Sequence, residues 1–189
     1  MDNEGIREIN KEENKMPKIR NKENSPIVCF CITAVALFVI GVCIKSFIIF
    51  TVYIPSASMV PTLNEGDYLL VTKVYDLENI ERGDILVFQS EELNDVLIKR
   101  VIGLPGDVVT IVEGKVSVNN EELKEDYVVS VGNSYGQYQV PEGKYFFLGD
   151  NRDISYDSSK WINPYIDGED IEAKAQIKIF PFNDFGFVK

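Results

Sequence analysis

RGDILVFQSEELNDVLIKRVIGLPGDVVTIVEGKVSVNN, residues 82–120, decides the fold. Its apolar runs are short, rich in Val, Ile and Leu, and fenced by turn residues, a pattern of strands rather than helices. Asp84 to Phe88 follows the turn residues Arg82-Gly83, and Val96 to Ile102 is closed by Gly103, Pro105 and Gly106. Val108 to Val112 and Lys115 to Val118 flank Glu113-Gly114 as a hairpin, and Asn119-Asn120 turns the chain again.

The same pattern continues in both directions. Asp67 to Val74 reads as a strand on the N-terminal side, and Tyr127 to Val131, Lys144 to Leu148 and Lys174 to Phe180 read as strands on the C-terminal side. No stretch after Thr51 keeps a 3.6-residue apolar period, so helix there is expected to be short and rare. Regularly spaced short strands with Gly and Pro turns predict a mostly β domain, an antiparallel barrel or sandwich.

Upstream the character changes. Ile27 to Ile44 is a run of 18 residues without a charge. As a helix at about 1.5 Å per residue it is about 27 Å long, and extending it to Pro26 and Ser46 brings it near a bilayer's hydrocarbon thickness. The run has no polar face, and no A-x-A site follows it, so it reads as an uncleaved transmembrane anchor rather than a removed signal. The expected organisation is a charged cytoplasmic tail over 1–25, one transmembrane helix over 26–46 and an extracytoplasmic domain over 47–189. The first 25 residues hold six basic and six acidic side chains, with Lys15, Lys18, Arg20 and Lys22 gathered near the span and Lys45 alone beyond it. The positive-inside rule therefore puts the N-terminus in the cytoplasm. Phe47 to Ile54 stays apolar, as a buried first strand of the outer domain or an apolar rim on the membrane surface.

Composition excludes several chemistries. The chain has 189 residues and no histidine, which removes Ser-His-Asp and Cys-His catalysis and His-ligated metals. The net charge of −11 argues against nucleic acid as a partner, because phosphate contacts need clustered Lys and Arg. All three cysteines (Cys29, Cys31, Cys43) lie in the apolar run, so no disulfide framework or metal cluster is expected, and no cofactor is implied.

Three segments of the β domain carry candidate chemistry. PSASMVPTL, residues 55–63, sets Ser56 and Ser58 two apart in an extended segment between prolines, so both point to one side. Each hydroxyl could equally be an ordinary turn residue. LIKRVIGLPGD, residues 97–107, holds Lys99 inside an apolar strand, as either a functional buried amine or an edge lysine that snorkels to water. LGDNRDISYDSSKW, residues 148–161, is dense in hydrogen-bonding groups, as many polar loops are. A serine nucleophile needs a base, and without imidazole the available one is a lysine kept neutral. A free lysine has a pKa of about 10.4, and burial lowers it by disfavouring the charged form. Lys99 is the lysine whose neighbourhood promises that burial.

Taken together, these segments resemble the boxes of the bacterial type I signal peptidases, membrane-anchored serine endopeptidases that remove signal peptides from exported preproteins. The resemblance runs from about Ile54 to Phe182 and includes the anchor. PSASMVPTL is similar to the nucleophile box, GDYLLVTKV (66–74) to the following strand box, LIKRVIGLPGD to the general-base box and GDNRDISYDSS (149–159) to the supporting box. The resemblance implies Ser58 as nucleophile and Lys99 as general base. It implies Ser56, with the Ser58 backbone N–H, as oxyanion donor, and Ser155 and Asp157 as support, Ser155 bonding Lys99. Ile54, Pro55, Leu63, Leu69 and Ile98 match walls of the pockets that take small side chains at −1 and −3. Exported preproteins and membrane lipid are the implied partners.

The chain departs from the pattern where Ile154 replaces a frequent Asn, Ser159 an Arg and Glu172 a Gly. The Arg would pair with Asp157, and Lys160 is the substitute at hand, without the planar fork. Two other readings are another Ser-Lys membrane peptidase, such as a pilin-processing enzyme, and a non-catalytic anchored β domain. A self-cleaving repressor of the same fold would need a DNA-binding head and an Ala-Gly linker, which the chain lacks.

Overall fold

The structure, a computed structural model, describes residues 26–188; the expected cytoplasmic tail over 1–25 lies outside the described residues. The chain divides into two compact units with the boundary after Gly41.

Helix α1, Pro26–Phe47, is 22 residues long and runs across the boundary between the units. Proline suits a first helical position, where its missing N–H has no intrahelical partner to lose. From Pro26 to Val42 every side chain is exposed. Among the described residues no helix is long and apolar enough to cross a membrane, and the side chains described in α1 end at Val42. The helix thus matches the extent expected for the anchor, while a membrane span as such is not shown.

After the end of α1, the second unit is built on antiparallel strands joined by turns and short 3-10 helices. Its larger sheet runs in the order β1 (Ile49–Tyr53), β2 (Tyr68–Lys73), β11 (Ile171–Phe180), β3 (Ile85–Ser90), β4 (Asp95–Gly103), β9 (Lys144–Leu148) and β10 (Ile166–Asp167), with β12 (Gly186–Phe187) on β11. The smaller runs β7 (Glu121–Glu122), β6 (Lys115–Val118), β5 (Val108–Val112) and β8 (Gly136–Gln139). Both sheets keep open ends, so the barrel alternative does not hold: β1 and β10 do not meet to close the larger one. Three apolar clusters fill the unit. One gathers Ile54, Met59, Leu63 and Leu69 beneath the 55–63 segment. A second centres on Phe88 and Phe147, whose rings stack at 4.2 Å. A third lies under the smaller sheet around Val109, Ile111 and Phe146.

The turns follow backbone chemistry. Glu113 and Gly114 have φ of 50° and 75°, the paired left-handed conformation of a tight hairpin. A Cβ on Gly114 would lie 1.9 Å from the Val131 carbonyl oxygen, so nothing larger fits.

One expected strand fails and one unexpected strand forms, for one physical reason. Tyr127 to Val131 forms no strand, and the strand of that region is β8, GQYQ, which reads as polar. β8 is fixed by pairing with β5, with Tyr138 opposite Val109, and the Tyr138 ring sits 4.6 Å from that of Phe146. Cross-strand packing of one aromatic therefore supplies what local apolarity does not. The stretch after the anchor, read as a buried strand or an apolar rim, forms the half-buried edge strand β1, and β11 starts at Ile171 rather than Lys174.

Candidate active site

The 55–63 segment is anchored at its two ends. Ile54 N donates to the Asp67 carbonyl at 2.9 Å, and Gly66 N donates back to the Ile54 carbonyl at 2.9 Å. Beyond them Met59 and Leu63 are fully buried. Between the anchors the chain makes one 3-10 turn, Ala57–Met59, with Ser56 extended at its N-cap. Burying Met59 leaves Ser58 half-buried at the turn, with Ser56 Oγ exposed and 3.2 Å from Ser58 Oγ. The expectation that both hydroxyls share one side is met by this turn, not by a strand.

Strand β4 brings the amine. Lys99 pairs with Leu86 of β3 and is 4% exposed. Its Nζ is 2.5 Å from Ser58 Oγ. Burial lowers its pKa to about 8, against the carboxylates of Asp157 and then Asp150, which favour the charged form. The amine is buried and does not snorkel to water as an edge lysine would.

The 149–157 loop closes the site from the other side. Asn151 N donates to the Ser58 carbonyl at 3.1 Å and its amide nitrogen to the Ala57 carbonyl at 3.1 Å, so the loop holds the turn by its backbone. Gly149 lies where these parts converge: a Cβ there would be 2.2 Å from Ser155 Oγ and 2.6 Å from the Ser58 carbonyl oxygen. Asp157 is buried and accepts from Gly149 N at 3.0 Å, from Ser159 N at 3.2 Å and from Ser159 Oγ at 2.7 Å. Ser159 is therefore not an empty replacement for arginine: its hydroxyl caps the carboxylate. Lys160 does not pair with Asp157 but donates from Nζ to the Ser155 and Arg152 carbonyls.

One expected contact is not made. Ser155 is fully buried beside the site, yet its Oγ has no hydrogen-bond partner, so it does not bond Lys99 here. The pocket residues also separate. Ile54, Leu63 and Leu69 are fully buried in the cluster with Met59, Ile98 packs partly buried against it, and Pro55 is exposed. The first three form a floor under the Ala57–Met59 turn rather than open walls.

Sequence reading missed a brace. Arg100 forks onto Asp150 through Nε at 2.8 Å and Nη2 at 2.6 Å, both residues nearly inaccessible, and Thr62 Oγ1 donates to the same carboxylate at 2.5 Å. It ties β4, the loop and the end of the nucleophile segment together. A second charge beside Lys99 in an apolar strand was the available signal.

A buried amine with a lowered pKa in contact with a serine hydroxyl, in a chain without histidine, is the arrangement that a serine peptidase with a lysine base would need. A family model described as signal peptidase, peptidase S26, matches residues 27–180. The signal peptidase I of Leptolyngbya laminosa is 38% identical over 175 residues, covering 87% of this chain and 85% of that protein. The signal peptidase I of Bacillus licheniformis is 34% identical over 179 residues, covering 88% and 95%. A crystal structure of a signal peptidase I from Enterococcus faecalis V583 matches at 30% identity, with 52% of this chain and 98% of that chain covered and a TM-score of 0.46. The chain belongs to the signal peptidase family, peptidase S26. It is a serine endopeptidase of the signal-peptide-removing type.

Proposed function

We propose that Ser58 and Lys99 form the catalytic dyad that cleaves exported preproteins after a small-x-small site. The carrying observation is the 2.5 Å contact between Lys99 Nζ and Ser58 Oγ on a lysine whose pKa is lowered to about 8. With the amine neutral, the hydroxyl donates to its lone pair. As Ser58 Oγ attacks the scissile carbonyl, the proton passes to Lys99 and the carbonyl oxygen takes the charge. Lys99 returns the proton to the leaving amine, and a water activated by Lys99 then hydrolyses the acyl-enzyme.

The oxyanion is held by the Ser58 N–H and the Ser56 hydroxyl, which is exposed and adjacent. Each such donor is worth about 3 kcal/mol in the transition state. Asp157 holds Gly149, which lies against both Ser58 and Ser155 and so sets the space between them. Small side chains at −1 and −3 rest over the floor of Ile54, Leu63 and Leu69, flanked by Pro55 and Ile98. Neither metal nor cofactor takes part in these steps.

Helix α1 is a single membrane anchor in this reading. At about 1.5 Å per residue its 22 residues reach about 33 Å, and a helix apolar on every side suits lipid. The basic flank places the N-terminus in the cytoplasm and the β unit outside. The experiment is cleavage of a preprotein bearing an A-x-A site by detergent-solubilised enzyme: wild type cuts, while Ser58→Ala and Lys99→Ala do not. Normal cutting by either variant overturns the dyad, and a preference for pilin precursors over other preproteins would favour the pilin-processing reading.

A further inference from the structure

Tyr127 and Glu125 belong to neither β4 nor the 149–157 loop. They sit on the irregular connection between β7 and β8, which forms no strand there. Yet this connection reaches both buried guanidinium groups of the site. Arg100 Cζ lies 3.9 Å from the centroid of the Tyr127 ring, so the ring covers one face of the guanidinium that forks onto Asp150. The Tyr127 hydroxyl donates to Glu125 Oε1 at 2.8 Å. The same oxygen accepts from Arg152 Nη2 at 2.5 Å, and Arg152 Nε donates to the Gly149 carbonyl at 2.9 Å. The circuit leaves β4 at Arg100 and returns to the loop at Gly149, next to Asp150.

Neutral Lys99 depends on what charge surrounds it. Around it are the Ser58 hydroxyl from the nucleophile turn and Asp150 and Asp157 from the loop, while Arg100, the next residue of its strand, acts on it through the fork on Asp150. β3 brings no charged residue, and β9 brings only Lys144, which pairs with Asp167 at 2.8 Å. Both carboxylates favour protonated Lys99. A planar fork, stacked on an aromatic face, offsets one of them with little freedom to swing away.

We propose that Tyr127 is a positioning residue for the peptidase reaction: by covering Arg100, and being held by Glu125, it keeps Arg100 locked on Asp150 and so favours the neutral amine at Lys99. The inference rests on Lys99 being the base. Burial and the Glu125 carboxylate hold the Tyr127 phenol above its ordinary range, so it stays a donor throughout the working pH. Arg152 Nη1 is buried without a partner, which leaves the Glu125 contact as that side chain's anchor to the connection.

The test is the pH dependence of kcat and KM for Tyr127→Leu and Tyr127→Phe against the full-length wild type in detergent, with melting temperatures alongside. Leucine removes the aromatic face, so the midpoint of kcat moves to higher pH by about half a unit. Near neutrality that is a loss of about threefold, recovered at pH 9, with KM unchanged. Phenylalanine keeps the ring and the wild-type midpoint. Tyr127→Met, whose unbranched chain fills the same space, gives the same reading if the leucine variant does not fold. A lowered melting temperature with an unmoved midpoint in the leucine or methionine variant overturns the proposal, since covering the core alone would do that. If Ser58→Ala or Lys99→Ala retains cleavage, the dyad itself fails. If both are dead and the Tyr127 midpoints stay put, only the positioning role fails.

Discussion

Lys99 Nζ and Ser58 Oγ stand 2.5 Å apart although 41 positions separate the residues in the chain. Neither is free to choose its place: Ser58 follows from burying Met59 next to it, and Lys99 from the pairing of β4 with β3 opposite Leu86. The contact therefore follows from core packing, and the chemistry depends on keeping an amine where charge is disfavoured.

That arrangement costs stability. The Lys99 pKa falls from 10.5 to about 8 on folding, so below pH 8 the amine is charged in both states and the folded one bears the full penalty. The penalty fades from pH 8 to 10.5, where the unfolded chain too becomes neutral. Lys99→Met should be inactive yet melt higher at pH 7, by the equivalent of at most about 3 kcal/mol. The difference should vanish above pH 10.5. Thermal melts across that range check it, and a variant that melts lower at pH 7 contradicts it.

Asp157 acts on the same equilibrium from the loop. Its charge raises the Lys99 pKa while its oxygens hold Gly149 and Ser159. Asp157→Asn removes the charge, so the Lys99 pKa drops and the alkaline rise in rate begins at lower pH. The amide also turns a donor toward neighbouring donors, at about 1–3 kcal/mol of stability. An onset that stays put or moves to higher pH would count against Asp157 as a neighbour in charge of Lys99.

Gly149 is set by space. Because a Cβ would meet Ser155 Oγ at 2.2 Å and the Ser58 carbonyl oxygen at 2.6 Å, Gly149→Ala must push the loop off the nucleophile turn. We expect about 1–3 kcal/mol of destabilisation, as overpacking usually costs, and loss of cleavage larger than the melting shift explains. Full activity in the alanine variant would show that the loop tolerates displacement.

Much of this was legible in the sequence because it is local. The strands β2, β3, β4, β5, β6 and β9 announce themselves by apolar runs between turn residues, and the Glu113-Gly114 hairpin by its dipeptide. Ser58 and Lys99 could be singled out because one chemistry needs both. What escaped depends on partners far along the chain. β8 is polar and exists because β5 is beside it, whereas Tyr127, β-like in composition, spends its ring on Arg100. The resemblance pairs Asp157 with an Arg, and with Ser159 in that place the carboxylate takes the Ser159 hydroxyl, a choice that only the fold of the loop reveals. Ser155 was expected on Lys99 and is buried without a partner.

The dyad is tested most directly by kcat/KM for a preprotein with an A-x-A site, measured with the wild-type enzyme from pH 6 to 10. A base with a pKa of about 8 predicts a rate that climbs about tenfold per pH unit below the midpoint and levels off above it. A rate that stays flat from pH 6 to 9 would contradict Lys99 as the base.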